Sequence, residues 1–358
     1  MEPTANPEGP ARRAWGVILA WIGGITAVIG FIGTVTGTFT TLSDRLHRNS
    51  DFDAQIALAQ AQVKQSEYPQ AVQTYAAVLK QDPHYRPALD GQLQTVEHWV
   101  EDFRVPPRED EKTTVTASNL LDQIFPVLDA ALVRTKALQT ADIQAHIGWA
   151  HWLNQHIAER EFGSTAVDNL HAALVTDPNN VYANAMLGNW MLQNHQSLPE
   201  AIRHFDTAVA TGKERPLVRR YQLAAYDNLD APGGRTAILK AVSSMRQANE
   251  PLDSERRRNV FVYCCRPGTI FRNELVESFT ALPQDEFWQT YLWLDADDPP
   301  EGEQIRQLNR RYIQASLAEV AGHRADALTQ FRALKKDVQI PGTSLDELVA
   351  EAIQRLST

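Results

Sequence analysis

Two consecutive stretches of 35 residues decide the fold of this chain. Residues 146–180 read HIGWAHWLNQHIAEREFGSTAVDNLHAALVTDPNN, and residues 181–215 read VYANAMLGNWMLQNHQSLPEAIRHFDTAVATGKER. Self-similarity at such a period predicts a helical repeat, in which stacked helix pairs share one continuous core. Five pairs of positions match at a constant offset of 35 residues: Trp152 and Leu187, Leu153 and Gly188, Asn154 and Asn189, Ala166 and Ala201, and Ala173 and Ala208.

A related pattern occurs earlier, in residues 52–85. Apolar residues recur there at helical spacing in two runs, and Ala71, Tyr75 and Pro83 follow one another in the second run. This order resembles the tetratricopeptide repeat, a pair of antiparallel helices that carries small residues where the helices cross. An aromatic residue follows the second-helix alanine by four positions in that family, and a proline closes the unit. The resemblance implies an all-α fold in which an α-solenoid presents a concave groove.

The pattern weakens towards the C-terminus, where Ala315, Ala327 and Phe331 predict one more unit. Ser344 is expected to cap a terminal helix. The sequence therefore divides into an N-terminal tail (1–14), a transmembrane helix (15–39), a linker (40–50), a first repeat unit (51–100), a polar break with an inserted helix (101–140), a tandem repeat array (141–250), an irregular helical region (251–300), and a C-terminal unit with its capping helix (301–358).

The transmembrane prediction rests on residues 15–39, WGVILAWIGGITAVIGFIGTVTGTF, which carry no charged side chain. About 20 apolar residues are enough to span the hydrocarbon core of a bilayer. A cleaved signal peptide would have a shorter apolar region, of about 7–15 residues, followed by a cleavage site between small residues. No convincing site of that kind follows. We therefore expect a single-pass protein of the inner (cytoplasmic) membrane of a bacterium, in contact with lipid through residues 15–39.

The orientation of this helix is nearly undetermined, because two arginines precede it and two follow it closely. The balance gives a slight preference for an extracytoplasmic soluble part. Gly33 and Gly37 form a GxxxG pair, which allows two membrane helices to approach closely. Formation of a homo-oligomer through these glycines is a hypothesis. The alternative interpretation is that glycine is simply common in membrane helices.

Three amide side chains are the predicted contacts for a peptide or a partner protein. Asn189 follows the Leu-Gly pair of its helix, and in tetratricopeptide repeat proteins an asparagine at this place faces the groove. Asn154 lies one 35-residue unit earlier, and Gln60 holds the corresponding place in the first unit. An amide both donates and accepts hydrogen bonds, so a row of amides can hold an extended peptide backbone. The alternative for the two asparagines is that they only face water or cap a local turn.

Composition and motifs argue against several other functions. The net charge of −10 opposes the counterion release that drives nucleic-acid binding, so DNA or RNA is not an expected partner. Cys264 and Cys265 are adjacent and are expected to be small buried apolar residues. His146, His151 and His156 are five residues apart, which places neighbours about 140° apart on a helix and disfavours a metal site. No phosphate-binding loop or hydrolase motif is present. No cofactor, metal or enzymatic activity is therefore expected.

The leading functional hypothesis is a membrane-anchored scaffold for protein–protein interactions. The resemblance implies that its concave groove binds a peptide or a partner protein. The alternative is a chaperone-like holder of unfolded or exported chains at the cell envelope. Binding of many unrelated extended peptides would favour the holder, whereas one defined partner would favour the scaffold.

Overall fold

The computed structural model describes residues 36–103, 118–135, 137–158, 165–227, 233–267, 272–296, 302–338 and 344–358. The regular elements of these residues are α-helices. The chain divides into two compact units, Met1–Asp102 and Phe103–Thr358. Successive helices pack into pairs in both units, which confirms the predicted all-α repeat fold.

The first unit contains α1 (Thr36–Lys64), α2 (Tyr68–Gln81) and α3 (Arg86–Asp102). Helices α1 and α2 pack together, and each presents a fully buried alanine, Ala59 and Ala71. The ring of Tyr75 then fills the space between α2 and α3. It lies so close to α3 that a Cβ atom on Gly91 would be 2.6 Å from it. Small residues on one helix and a large ring on the next therefore set the spacing of these helices.

The second unit contains α4 (Phe125–Arg134), which is followed by the tandem helix pairs. The three pairs are α5 (Ala137–Ala158) with α6 (Thr165–Thr176), α7 (Val181–Gln193) with α8 (Leu198–Ala210), and α9 (Arg215–Asp227) with α10 (Gly234–Gln247). The first helix of each pair, here called the leading helix, also packs against the next leading helix. The three pairs thus form one continuous stack.

Glycine and alanine allow the closest approach within the first two pairs. A Cβ atom on Gly148 of α5 would lie 2.8 Å from the carbonyl oxygen of Ala166 in α6. A Cβ atom on Gly188 of α7 would lie 3.1 Å from the carbonyl oxygen of Ala201 in α8. Both alanines are completely buried. These two crossing points are therefore equivalent in the two pairs.

A buried ion pair connects the two helices of the third helix pair, α9 and α10. The guanidinium of Arg219 in α9 donates to Glu250, just after α10, at 2.9 Å and to Ser244 in α10 at 2.9 Å. The side chain of Arg219 is only 5% exposed and that of Glu250 only 11%. Arg215 donates to the same carboxylate at 2.9 Å. Two arginines from one helix thus neutralise the carboxylate that follows its partner helix.

The C-terminal part of the second unit continues the stack less regularly. Helices α11 (Ser254–Cys264), α12 (Arg272–Thr280) and α13 (Gln284–Asp295) occupy the region predicted to be irregular and helical. They are followed by the pair α14 (Gly302–Val320) and α15 (Arg324–Asp337), and by α16 (Ser344–Ser357). Helix α16 covers α15, and its Arg355 forms a two-pronged ion pair with Glu319 of α14 at 2.7 and 2.8 Å.

Three helices that open a helix pair, α1, α7 and α14, end in the same backbone turn. The second residue after each helix has a positive φ, which is 60° at Ser66, 52° at His195 and 83° at Gly322. In each case the N–H group of the next residue donates to the carbonyl oxygen five residues earlier, at 2.8–2.9 Å. This left-handed turn satisfies helix-end carbonyl groups without help from the next repeat. The chain reversal inside these pairs is therefore a local property.

The predicted transmembrane segment lies outside the described residues, apart from its last four positions. Those positions belong to the start of α1, and the linker expected at 40–50 lies within the same helix. Within the described ranges, no helix combines the length and the apolar character that a membrane crossing requires.

Candidate functional site on the leading helices

Asn189 lies on α7 but is almost completely buried, with 2% of its surface exposed. Its side-chain oxygen accepts a long hydrogen bond of 3.5 Å from Gln193. Its Nδ2 group is buried and has no hydrogen-bond partner in the described structure. Because an unsatisfied buried amide group is costly, this donor is the most unusual polar atom of the predicted contacts.

Two aromatic side chains connect the leading helices on either side of α7. Trp149 from α5 and Tyr221 from α9 meet edge to face, with ring centroids 5.0 Å apart. Because α7 packs between these two helices, the contact bridges the leading helices on either side of it. Trp149 is completely buried, and its Nε1 group also has no partner among the described residues. The guanidinium of Arg220 lies 5.3 Å from the centre of the Tyr221 ring. A side chain of α5 thus contacts a side chain of α9 directly.

The helix crossings give a different alignment of the leading helices from the one that the 35-residue offset predicts. Gly148 and Gly188 hold equivalent places, and they are 40 residues apart. The trailing helices keep the predicted offset of 35, because Ala166 corresponds to Ala201. Gly148 precedes its alanine by 18 residues and Gly188 precedes its alanine by 13, because α5 continues for ten residues beyond its glycine and α7 for only five. The residue equivalent to Asn189 is therefore Trp149.

Asn154 lies near the C-terminal end of α5, where it contacts the segment that precedes α4 and α5 in the chain. It is half-buried, and its side-chain oxygen accepts a hydrogen bond of 2.8 Å from the hydroxyl group of Ser118. Nearby, Phe125 at the start of α4 packs against His151, with ring centroids 4.5 Å apart. The segment that precedes α5 therefore occupies the part of α5 that carries Asn154.

The remaining predicted site residues are dispersed. Gln60 belongs to α1 of the first unit, where its side chain is exposed. Of the two glycines predicted to mediate self-association, Gly33 lies outside the described residues, and Gly37 lies in the first turn of α1. Within the described part of the second unit, the polar neighbour of Asn189 is the amide of Gln193 on the same helix.

The chemistry-bearing groups of the described residues show no arrangement suited to metal catalysis. No three His, Cys, Asp or Glu side chains converge as metal ligands within the described part of the chain. Cys264 and Cys265 are completely buried, and burial raises the pKa of the Cys265 thiol, with a further increase from the nearby charge of Asp295. A thiol of this kind is a poor nucleophile.

One polar cavity of about 720 Å³ lies where the start of α5 meets the turns before α7 and after α8. Its lining includes the side chains of Asp142, Asp177, Lys213 and Glu214. Asp142 accepts a hydrogen bond of 2.6 Å from Asn180, which fixes its carboxylate. These groups offer charge and hydrogen bonds to a surface ligand, but they include no activated nucleophile.

Comparison with known proteins adds little beyond the fold. No protein-family model and no curated protein matches this sequence. Among solved structures, the chain is similar to a tetratricopeptide repeat protein from Parabacteroides merdae ATCC 43184, with 10% sequence identity and a TM-score of 0.37. The match covers 86% of this chain and 100% of that chain. The stacked helix pairs described above show that the fold is a helical repeat.

Proposed function

We propose that this chain is a non-catalytic scaffold that binds a peptide or a partner protein on its leading helices. The observation that carries the proposal is the uninterrupted succession of α5, α7 and α9. Each of these leading helices packs against the next one, so together they form one extended surface with a periodic arrangement of side chains. Surfaces of this type suit an extended peptide or a partner helix better than a small molecule.

The buried donor of Asn189 supports a peptide backbone as the ligand. A carbonyl oxygen of an extended peptide would supply the acceptor that Nδ2 lacks in the described structure. Backbone recognition of this kind is independent of sequence, and this supports the second candidate function, a chaperone-like holder of unfolded or exported chains. The breadth of peptide recognition distinguishes the two functions.

A membrane location is part of the proposal. The uncharged segment 15–39 would anchor the chain, and α1 would carry the first repeat unit away from the bilayer surface. Self-association through Gly33 and Gly37 would then place two scaffolds side by side. A fluorescent protein that matures only in the cytoplasm and a phosphatase active only outside it, each fused to the C-terminus, would identify the side on which the repeats lie.

The central experiment measures binding of the purified full-length protein to an array of unrelated extended peptides. Asn189→Ala is expected to weaken binding at least about tenfold, the loss of one well-placed hydrogen bond to a peptide. Asn169→Ala is the matched control, because Asn169 lies on the trailing helix α6 and bonds only to Thr165 within that helix. Binding of a few related peptides supports the scaffold, and binding of many unrelated ones supports the holder. Absence of binding to every peptide and to every candidate partner helix would contradict both functions.

A further inference from the structure

We propose that the polar cavity beside the start of α5 binds a basic side chain, an arginine or a lysine, of a peptide that lies on the leading helices. The inference rests on the proposed function, because it names the chemistry of the ligand. The cavity has a volume of about 720 Å³ and lies where the start of α5 meets the turns before α7 and after α8. Pockets of about 300–1,000 Å³ are the usual size for a ligand bound in a cleft.

The cavity lies on the leading face of both α5 and α7. Tyr182 lines the cavity and precedes Asn189 by seven residues on α7. Asp142 also lines the cavity and precedes Trp149, the residue equivalent to Asn189, by seven residues on α5. Seven residues are nearly two turns of an α-helix, so the two members of each pair share one face of their helix. The cavity is therefore located at the N-terminal end of the face to which we assign the peptide.

Two carboxylates in the cavity are held in place, and each keeps one oxygen for a ligand. Oδ1 of Asp142 accepts a hydrogen bond of 2.6 Å from the amide of Asn180, which is only 2% exposed. Oδ1 of Asp177 accepts a hydrogen bond of 3.0 Å from the backbone N–H group of Asn179. The second oxygen of each carboxylate has no hydrogen-bond partner among the described residues. Both aspartates are half-buried, so water screens their charges less than it screens charges on an open surface.

The charges around the cavity are unbalanced. Glu214 brings a third carboxylate to the lining, and Lys213 brings one positive charge. Within the described part of the chain, none of the three carboxylates forms an ion pair, with Lys213 or with any other residue. Lys213 and Glu214 are exposed and mark the outer edge of the cavity. The excess of negative charge repels an anionic ligand and attracts a cationic one.

The spacing of the carboxylates favours an organic cation over a metal ion. No three His, Cys, Asp or Glu side chains of the described residues converge as metal ligands, so the acidic groups of the cavity are too far apart to share one ion. A guanidinium group reaches separated carboxylates, because its five N–H donors point in several directions. A lysine ammonium group acts as a single point charge and satisfies fewer of them. We therefore expect arginine to bind more tightly than lysine.

Matched peptides test the charge of the ligand on the full-length protein. Each extended peptide of the array is made with arginine, lysine, citrulline or glutamate as its middle residue. Citrulline has the shape of arginine but carries no charge. The wild type should bind the arginine version at least about tenfold more tightly than the citrulline version, because a hydrogen bond to a charged group contributes about that much. The glutamate version should bind least tightly.

Substitutions in the cavity then locate this preference. Asp142→Asn removes a charge but keeps an oxygen that can accept the hydrogen bond from Asn180. It should weaken binding of the arginine version at least about threefold and leave binding of the citrulline version unchanged. Asp142→Asn combined with Asp177→Asn should abolish the preference for arginine over citrulline. Lys213→Glu changes an exposed residue and should strengthen binding of the arginine version about two- to fivefold, a gain that misfolding cannot produce.

Asp168→Asn is the matched control, because it makes the same change of charge at an exposed position of the trailing helix α6. It should leave the preference for arginine unchanged. Equal binding of the arginine and citrulline versions by the wild type would overturn the cavity as a site for a basic side chain and leave the proposed function standing. The same holds if Lys213→Glu brings no gain, or if Asp168→Asn weakens binding of the arginine version as much as Asp142→Asn does. Failure of every version to bind any variant would overturn the proposed function and this role of the cavity with it.

Discussion

Gly148→Ala is expected to destabilise the second unit, although alanine is the better helix former. Within a helix, alanine is favoured over glycine by roughly 0.5–1 kcal/mol. The added Cβ atom would, however, lie 2.8 Å from the carbonyl oxygen of Ala166 and 3.0 Å from the side chain of Leu170. The carbonyl group belongs to the backbone of α6 and cannot rotate away, so α5 and α6 must separate. Overpacking of this kind costs about 1–3 kcal/mol, which leaves a net loss of about 1–2 kcal/mol in unfolding free energy.

The equivalent change at Gly188 should cost less than the change at Gly148. There the new Cβ atom would first meet the ring of Phe205 at 3.0 Å, and the carbonyl oxygen of Ala201 lies slightly farther away at 3.1 Å. A ring can tilt, and the carbonyl oxygen needs to give way only slightly. The expected net loss of unfolding free energy is therefore within about 1 kcal/mol.

Denaturant unfolding of the full-length protein, followed by far-ultraviolet circular dichroism, measures both changes. Ala333→Gly provides a scale for helix propensity alone, because Ala333 is exposed within α15. It should cost about 1 kcal/mol. If Gly148→Ala proved as stable as the wild type, or less harmful than Gly188→Ala, the close approach of α5 and α6 could not be the reason for glycine at this position.

Three further predictions concern other parts of the second unit. Glu250→Gln removes the charge that neutralises a buried arginine and should cost about 3 kcal/mol in unfolding free energy, whereas Glu200→Gln in an exposed ion pair should cost less than about 1 kcal/mol. Burial lowers the pKa of His151 and of His204, so the unfolded chain binds these protons at higher pH than the folded chain does. The stability that these neutral histidines allow is complete above the unfolded pKa of about 6.5 and declines as the pH falls below it. Thermal unfolding between neutral and acidic pH measures this decline, and an unchanged unfolding midpoint would contradict the prediction. Gly322→Ala forces a side chain into a left-handed turn and should lower the unfolding free energy by about 1 kcal/mol, and no change in the unfolding midpoint would argue against that strain.

The trailing helices are the part of the fold that the sequence predicts best. The alanine and the aromatic residue four positions later, as in Ala71 and Tyr75, are both buried where the helix crosses its partner. This pair of residues reflects a local packing requirement, because each helix crossing needs one small and one large side chain. The pattern therefore identifies the repeat wherever the trailing helix is regular.

The leading helices are harder to align because they vary in length. Helix α5 continues five residues farther beyond its crossing glycine than α7 does, which shifts Asn154 away from the place equivalent to Asn189. The Gly-Trp pair at Gly148 and Trp149, beside the Gly-Asn pair at Gly188 and Asn189, is the signal that would have given the observed alignment. Each pair joins a residue at the helix crossing to its neighbour on the leading face.

The contact between Trp149 and Tyr221 could not be predicted from either repeat alone. It joins the leading helix before α7 to the leading helix after it. Contacts of this kind depend on the rotation between successive helix pairs. Likewise, nothing in the local sequence around Arg219 indicates that its charge is neutralised by Glu250, 31 residues later. Such tertiary contacts are the part of the site for which sequence periodicity carries no signal.

The recurring turn after α1, α7 and α14 has a consequence for the order in which the chain acquires its structure. The turn is closed by backbone hydrogen bonds that span only five residues. The reversal inside each of these pairs can therefore form as soon as its own residues have left the ribosome, before the next pair is synthesised. Contacts between nearby residues form rapidly, and the growing stack offers each new pair a surface on which to assemble. The chain is thus suited to fold in the direction of its synthesis.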